Sequence, residues 1–544
     1  MKNDATTNRS KAPAGQKTSA YWVLFSILSL VAFLSFWLFS RFTVDDAFIS
    51  WSYGKNLIDS GVWGYNPTSF DLTQAYTNPI YAALSIIPNY LGIDIVLFFK
   101  VVSLLLLFIF GVWFSKRTRL GIFVVLLYAL PATFIHAFSG LETFLYVALV
   151  TALIVFLIED KFWESIACAL LLFMTRPESW VLLGLVPLFY AIPKSMDEGF
   201  SLSNIKSAFY ELLSFRRYRF KSSLLALALL LVPMLAYYAF HKMHFGYALP
   251  NTFYVKSSGF FSLQDFIYFS FMAAPIVGIL FAGKFRVFLV TFLFFCAIIF
   301  SYSTSSLAMN YIDRFAFHIF VPAYLSLVYV SANLLSKEVY VSDSSSFHNF
   351  YVIKYKNIAL LVAFMWISVF GVNNLSASSL VHIANYYPRA LDAHADLGKA
   401  IREDSAVYDI DTMSFGDAGM AAYHSGISSL DNIGLGSAMV AHEGINKDTL
   451  DSYRPEIIVF HARPDQIRLG SHNQKKIHDW AIKNEYNSLC QVFWKKNYTL
   501  NIYSKYDLEN VEDVCDSSSR VNNLGDKEYF LNHGTRSPWS FWKS

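Results

Sequence analysis

Apolar runs separated by short polar segments fill the chain from about residue 20 to 375, and beyond that point short apolar stretches alternate with polar ones to the end. The runs fall at roughly 20 to 41, 93 to 114, 120 to 138, 142 to 158, 163 to 175, 179 to 193, 222 to 240, 267 to 282, 287 to 303, 316 to 334 and 357 to 375. A helix crosses a hydrocarbon core with about 20 apolar residues. The pattern therefore predicts an α-helical polytopic membrane protein with about eleven transmembrane helices, the short fifth run and the segment "YTNPIYAALSIIP" being the weakest signals. Three regions follow: a polar tail at 1–19, a transmembrane module at 20–375 and a soluble region at 376–544. In the last, "EIIVF" and "LCQVFW" alternate with helix-like stretches such as "NQKKIHDWAIKNEY", which predicts a small α/β domain.

Charge orients these spans. With the N-terminus in the cytoplasm, alternate loops carry "KRTR" at 116–119, Lys161, "SFRRYRFK" ending at Lys221, "GKFR" at 283–286, and Lys337 with "KYK" at 354–356. All fall on one side, as the positive-inside rule requires of cytoplasmic loops. The first apolar run reads as an uncleaved anchor, being too long for a signal peptide and lacking a small-residue cleavage site. The opposite, extracytoplasmic side receives Asp45 and Asp46, "FSGLETF", "MTRPESW", "HKMHFGYALPNTFYVKS", "MNYIDRF" and the C-terminal domain. Such an orientation suits a bacterial inner membrane with that domain in the periplasm.

Composition agrees and narrows the partners. Of 544 residues, 55% are hydrophobic and only 15% charged, which excludes an ordinary soluble enzyme. A net charge of +3 without a basic, aromatic-rich block gives no nucleic-acid surface; the bilayer is the partner. Of four cysteines, Cys168 and Cys296 lie in apolar runs as small hydrophobes, and no pair has zinc-ligand spacing. Cys490 and Cys515 lie in the polar C-terminal region, where a disulfide is the expectation if that region is extracytoplasmic.

The candidate chemistry starts at "RFTVDDAFISWSYGKNLIDSGVWGYN". One Asp there would serve as a helix cap. A second acid adds repulsion and desolvation, which favours a base, a metal ligand or a hydroxyl acceptor. The stretch after it is spaced as an amphipathic helix lying on the membrane surface. Tyr76 and Asn78 in "QAYTNPIYAAL", Glu142 in "SGLE", and Arg176 with Glu178 in "TRPES" each read alone as turns or helix starts. Together with Lys256 and Arg314 they bring cations to the face that holds the carboxylate pair. Cations suit a phosphate and carboxylates suit a hydroxyl to be deprotonated, which is the requirement of glycosyl transfer from a lipid phosphate.

"DDAFISWSYGKNLIDSGVWGYNP", "AYTNPIYAAL", "SGLETFLYVAL", "TRPESW", "YALPNTFYVK", "DRFAFHIFVP" and "FGDAGMAAYHSG", in this order over about residues 20 to 440, resemble motifs of GT-C class membrane glycosyltransferases. The group containing the mycobacterial terminal arabinofuranosyltransferase is the nearest in pattern. The resemblance implies an inverting transferase that moves a sugar, arabinofuranose among the candidates, from a polyprenyl-phosphate donor to a hydroxyl of a cell-envelope glycan, glycolipid or glycoprotein. It implies Asp45 as first choice for the base with Asp46 beside it, Arg176 and Lys256 on donor phosphate, Glu142, Tyr76 and Asn78 around the sugar, and Arg314 in support. Glu178 and Asn251 belong to the same donor motifs, and Asp417 and Tyr423 to a C-terminal one. Gln74 stands where the family often has an acid. No obligatory metal is implied, although two acids and phosphate oxygens could share a divalent cation. A flippase or transporter of lipid-linked sugars, and a ligase of a preassembled lipid-diphosphate glycan, are the alternative readings.

Overall fold

The computed structural model describes residues 14–198, 217–256, 261–307, 309–338, 346–417, 419–462, 472–495 and 498–522. The tail before residue 14 and the terminal "RSPWSFWKS" lie outside them, and so does the Lys256 side chain.

Each apolar run becomes a helix, but the helices differ in length. The first is α1 (Ala14–Phe39), and α2 (Asp46–Ser60) follows a short link. Next come α3 (Pro79–Leu84), α4 (Ile86–Leu91), α5 (Ile95–Thr118), α6 (Gly121–Ala129), α7 (Pro131–Phe138), α8 (Thr143–Ile158), α9 (Phe162–Phe173) and α10 (Leu182–Ala191). The second half of the bundle holds α11 (Arg217–Phe245), α12 (Asn251–Lys256), α13 (Leu263–Ala273), α14 (Val277–Phe281), α15 (Phe285–Ser303), α16 (Arg314–Glu338) and α17 (Ser346–Asn373). Among the described residues, five helical segments are long and apolar enough to cross a membrane: 95–118, 220–245, 263–281, 285–303 and 311–333. Thus the expected eleven spans are not established: by length and composition five described segments qualify, or six if the pair α6 and α7 counts as one. That pair is bent by 73°, because Leu130 before Pro131 takes an extended backbone that ends the helix. The other predicted spans are apolar helices of 12 to 17 residues, and the "YTNPIYAALSIIP" segment is the two short helices α3 and α4.

One helix organises the bundle. The spanning part of α16 is wholly enclosed: Phe317, Ile319, Phe320, Val321 and Tyr324 are buried, with α8, α13 and α17 packed around it. At one end of the bundle the basic loops meet acids from their neighbours, Arg117 and Lys161 on Glu159 and Arg286 on Asp197. The other end carries the polar motifs and the sheet.

After α17 the chain runs through α18 (Ala377–Val381) into α19 (Tyr387–Tyr408) and a five-stranded mixed sheet. Its strands are β1 (Thr412–Phe415), β2 (Ser428–Asp431), β3 (Ile457–Ala462), β4 (Asn487–Lys495) and β5 (Tyr498–Ser504), in the order β2-β1-β3-β5-β4. β1 pairs parallel with β2 and β3, while β5 runs antiparallel to β3 and β4. The helices α20 (Met420–Ser425), α21 (Ala438–Glu443), α22 (Lys447–Tyr453), α23 (His472–Lys483) and α24 (Glu509–Asn522) complete the unit. Cys490 on β4 and Cys515 on α24 form a disulfide, with Cα atoms 6.1 Å apart.

One link between bundle and sheet is the stretch from 43 to 78. Asn66 pairs with the Ser429 backbone, its Nδ2 donating to the carbonyl and its Oδ1 accepting the N–H at 2.9 Å. Asp71 accepts the Ser437 hydroxyl and the Met439 N–H, and the Thr73 hydroxyl accepts the Ala438 N–H at 2.9 Å. These bonds satisfy free amides at the start of α21. The amphipathic spacing of α2 predicts a helix on the membrane surface, but the structure encloses it between bundle and sheet unit. Phe48, Trp51 and Tyr53 are buried, so its aromatic face packs against protein.

Candidate active site

Between the two layers lies a cavity of about 790 Å³. Three helix starts and one helix face supply its polar wall. Asp46 opens α2, and Ile49 and Ser50, one turn on, line the same wall, as the i, i+3, i+4 geometry of a helix requires. Glu142 stands immediately before α8 after the turn at Gly140, whose φ of +80° a residue with a side chain rarely adopts. A Cβ at Gly140 would also press on Ala47 and Trp51 of α2 at 2.8 Å. Arg176 precedes the short 3₁₀ turn 177–181 begun by Pro177, and Arg314 heads the enclosed helix α16.

These residues form one charged network. Arg176 Nη1 donates to Glu142 Oε1 at 2.7 Å, and Arg314 Nη2 donates to the same oxygen at 2.9 Å. Asn78 Nδ2 donates to Glu142 Oε2 at 3.1 Å, while Asn78 Oδ1 caps α3 through the Tyr81 N–H. Arg176 also donates to Glu178 from Nε at 2.8 Å and Nη2 at 2.6 Å, and Arg314 Nε donates to Thr143 Oγ1 at 2.9 Å. The rings of Tyr146, Tyr302 and Phe315 stand 5.7 to 5.9 Å from the Arg176 guanidinium. A guanidinium has five N–H donors. Among the described residues Arg176 places three of these bonds and Arg314 two, so both retain donors at the cavity wall.

The structure brings together Asp46, Tyr76, Glu142, Arg176, Glu178 and Arg314 as cavity lining, with Asn78 directly behind Glu142. Among the described residues nothing hydrogen-bonds to the carboxylate of Asp46, a lining residue of the cavity. Its neighbour differs. Asp45 is 6% exposed, and its carboxylate accepts the Gly419 N–H at 3.0 Å and the Met420 N–H at 2.8 Å. Burial raises its pKa to about 6, with His394 and the Met420 amide opposing the rise and Asp417 and Asp46 adding to it. Asn251 is a bridge, its backbone N–H on the Gln74 carbonyl and its side chain on the Gly434 carbonyl. Gln74 holds the Tyr237 hydroxyl at 3.1 Å.

The C-terminal candidates stand apart from the cavity lining. Asp417 Oδ2 is 2.8 Å from His461 Nε2 and 3.3 Å from His394 Nε2. Burial would raise the Asp417 carboxyl, but the two histidines outweigh it and hold the group well below the usual carboxylate range. Tyr423 donates to Asn89 Oδ1 at 2.9 Å, and the Lys55 ammonium lies 5.0 Å from its ring. Among the described residues no three His, Cys, Asp or Glu side chains converge as a metal site.

The lining also includes residues that were not among the candidate site residues. Ser301, Thr304, Ser305 and Ser306 put hydroxyls on one side, and Tyr302 bonds to His318 Nδ1 at 2.9 Å. Their signal was "SYSTSS" at 301–306, which begins inside the end of the ninth apolar run. Trp180, Met234, Tyr238 and Phe300 make an apolar wall, of which Trp180 and Phe300 are more than half exposed to the outside. They come from the end of the 177–181 turn, α11 and α15, and α10 packs against both of those helices.

No protein-family model matches the sequence, and no curated protein matches it. Among solved structures, the archaeal oligosaccharyltransferase AglB from Archaeoglobus fulgidus, in complex with an inhibitory peptide and a dolichol-phosphate, is similar to this chain at TM-score 0.42 and 12% sequence identity. The match covers 81% of this chain and 69% of AglB. A similarity of that strength carries neither fold nor activity over to this chain.

Proposed function

We propose that the chain is an inverting glycosyltransferase that uses a polyprenyl-phosphate sugar, with Asp46 as the base. One observation carries the reading: Asp46, whose carboxylate has no hydrogen bond among the described residues, and two arginines with donors beyond those they use among the same residues line a single cavity, part of whose wall is apolar and open to the outside. The acceptor hydroxyl oxygen attacks the anomeric carbon, the bond from that carbon to the phosphate oxygen breaks, and the hydroxyl proton passes to Asp46. The negative charge left on the lipid phosphate is met by Arg176 and Arg314, whose guanidinium forks suit phosphate oxygens. Glu142 fixes both guanidiniums in place. The wall of Trp180, Met234, Tyr238 and Phe300 takes the isoprenoid chain.

Asp45 is the less suitable base, because both of its oxygens already accept backbone amides and it has no access to the cavity. Arabinofuranose is our first choice of sugar and an envelope glycan hydroxyl our first choice of acceptor, on the motif resemblance. Proton and phosphate steps are assigned to side chains, without an obligatory metal; activity lost to chelator and restored by one divalent cation would overturn that part. The test of the whole is transfer by the purified chain in lipid nanodiscs with polyprenyl-phosphate-arabinofuranose. Release of lipid phosphate with glycosylated acceptor supports the proposal. Passage of the intact sugar-lipid across the bilayer would make it a flippase, and preference for a diphosphate donor would make it a ligase.

A further inference from the structure

Successive residues on a helix project about 100° apart, so Asp45 and Asp46 at the head of α2 leave the helix in different directions. The contacts divide accordingly. Asp46, Ile49 and Ser50 face the cavity, while Asp45 and Phe48 face the sheet unit, the Phe48 ring meeting Tyr423 at 5.4 Å and His424 at 6.0 Å. Asp45 is held from two directions: its carboxylate by the amides of Gly419 and Met420, its own N–H by the Tyr387 hydroxyl at 3.3 Å. A methyl group at Gly419 would collide with the Asp45 carbonyl and carboxylate, so the "GDAGM" turn has no room for a side chain at this position.

We propose that Asp45 is a positioning residue: clamped by the 419–420 backbone, it sets the rotation of α2 and thereby aims Asp46 at the reacting hydroxyl. The C-terminal unit is then part of the catalytic apparatus, although among the described residues none of its ionisable side chains reaches the cavity lining. This inference rests on Asp46 being the base of the proposed transfer. Other bonds hold the two layers together independently, through Asn66 with Ser429 and Asp71 with Ser437 and Met439, so loss of the clamp leaves a docked and folded chain.

The test uses the full chain in nanodiscs, with Asp45→Asn, Gly419→Ala and the double variant, and polyprenyl-phosphate-arabinofuranose as donor. Gly419→Ala leaves both carboxylates chemically intact. Each single change is expected to lower kcat on the order of 10- to 100-fold with donor KM within about twofold, since misplacing a reacting group by about 1 Å costs that much. The double variant is expected to be no worse than the weaker single, because both changes remove one coupling. Full kcat in Gly419→Ala, losses that multiply, or Asp45→Asn as inert as Asp46→Asn beside an active Gly419→Ala would overturn the proposal. Hydrogen exchange gives a reading independent of transfer: residues 46–50 should exchange faster in both single variants while 66–73 do not change. Unchanged protection at 46–50 overturns the clamp even if the wild-type chain transfers no sugar, and an inactive wild type whose 46–50 segment loosens as stated overturns the transfer reading alone.

Discussion

Two buried charged regions, a few residues apart at the head of α2, are built from the same materials and differ in what they leave unused. At the seam with the sheet unit, Asp45 spends both carboxylate oxygens on backbone amides, and Asp417 is matched by His394 and His461. In the cavity, Glu142 is just as fully bonded, but among the described residues the arginines that bond it keep unused donors, and both they and Asp46 line the open space. The seam engages its two acids with backbone amides and histidines. A buried polar network with every member paired holds two elements in one arrangement, whereas one with unused donors beside a void is prepared for a ligand.

The largest effect that separates the two regions should come from Asp46→Asn, which keeps shape and removes the base; a loss of kcat on the order of 10²- to 10⁴-fold is expected in the transfer assay, with donor KM little changed. Arg176→Ala comes next. It removes charge-assisted hydrogen bonds of about 1.5–3 kcal/mol, so donor KM measured by initial rates should rise roughly 10- to 100-fold, and Arg176→Lys should restore little because a point charge cannot reproduce the fork. At the apolar wall, Met234→Asn should raise KM several-fold for a long isoprenoid donor and leave a short-chain analogue unaffected; equal effects on both would detach that wall from the lipid. The smallest effect lies at the seam. The folded Asp45 has a pKa of about 6 against 3.8 unfolded, so between these values the folded chain binds more protons. This group's contribution to stability is therefore fully present below pH 4 and lost as pH rises through 6. The thermal midpoint of the wild type relative to Asp45→Asn should fall by a few degrees, about 2–5 °C, between pH 4.5 and 7.

The adjacent acids and the scattered Arg and Glu motifs were legible as unusual because each interrupts an apolar pattern at one end of a span. Which acid faces the cavity was not. That depends on the rotation of α2, set by Gly419 and Met420, which lie 374 and 375 positions away from Asp45 in the chain. Likewise Glu142 looked like a local turn or helix start and Arg314 like a separate cation, and only packing across 172 positions joins them. Apolar runs located the helices but not their capacity to span, since Pro131 and the brevity of α9 are decided by backbone geometry that hydropathy does not record. The hydroxyl run 301–306 was passed over because serine and threonine are ordinary in loops and at helix ends, and only the cavity gives them a common direction.

The central claim is a single displacement at the anomeric carbon with Asp46 taking the acceptor proton. The most direct measurement is the anomeric configuration of the sugar in the product, determined by proton NMR after transfer from polyprenyl-phosphate-arabinofuranose by the purified chain, with Asp46→Asn alongside. The account expects a configuration opposite to that of the donor, with no product above background from the variant. A retained configuration, or full turnover by Asp46→Asn, would contradict it.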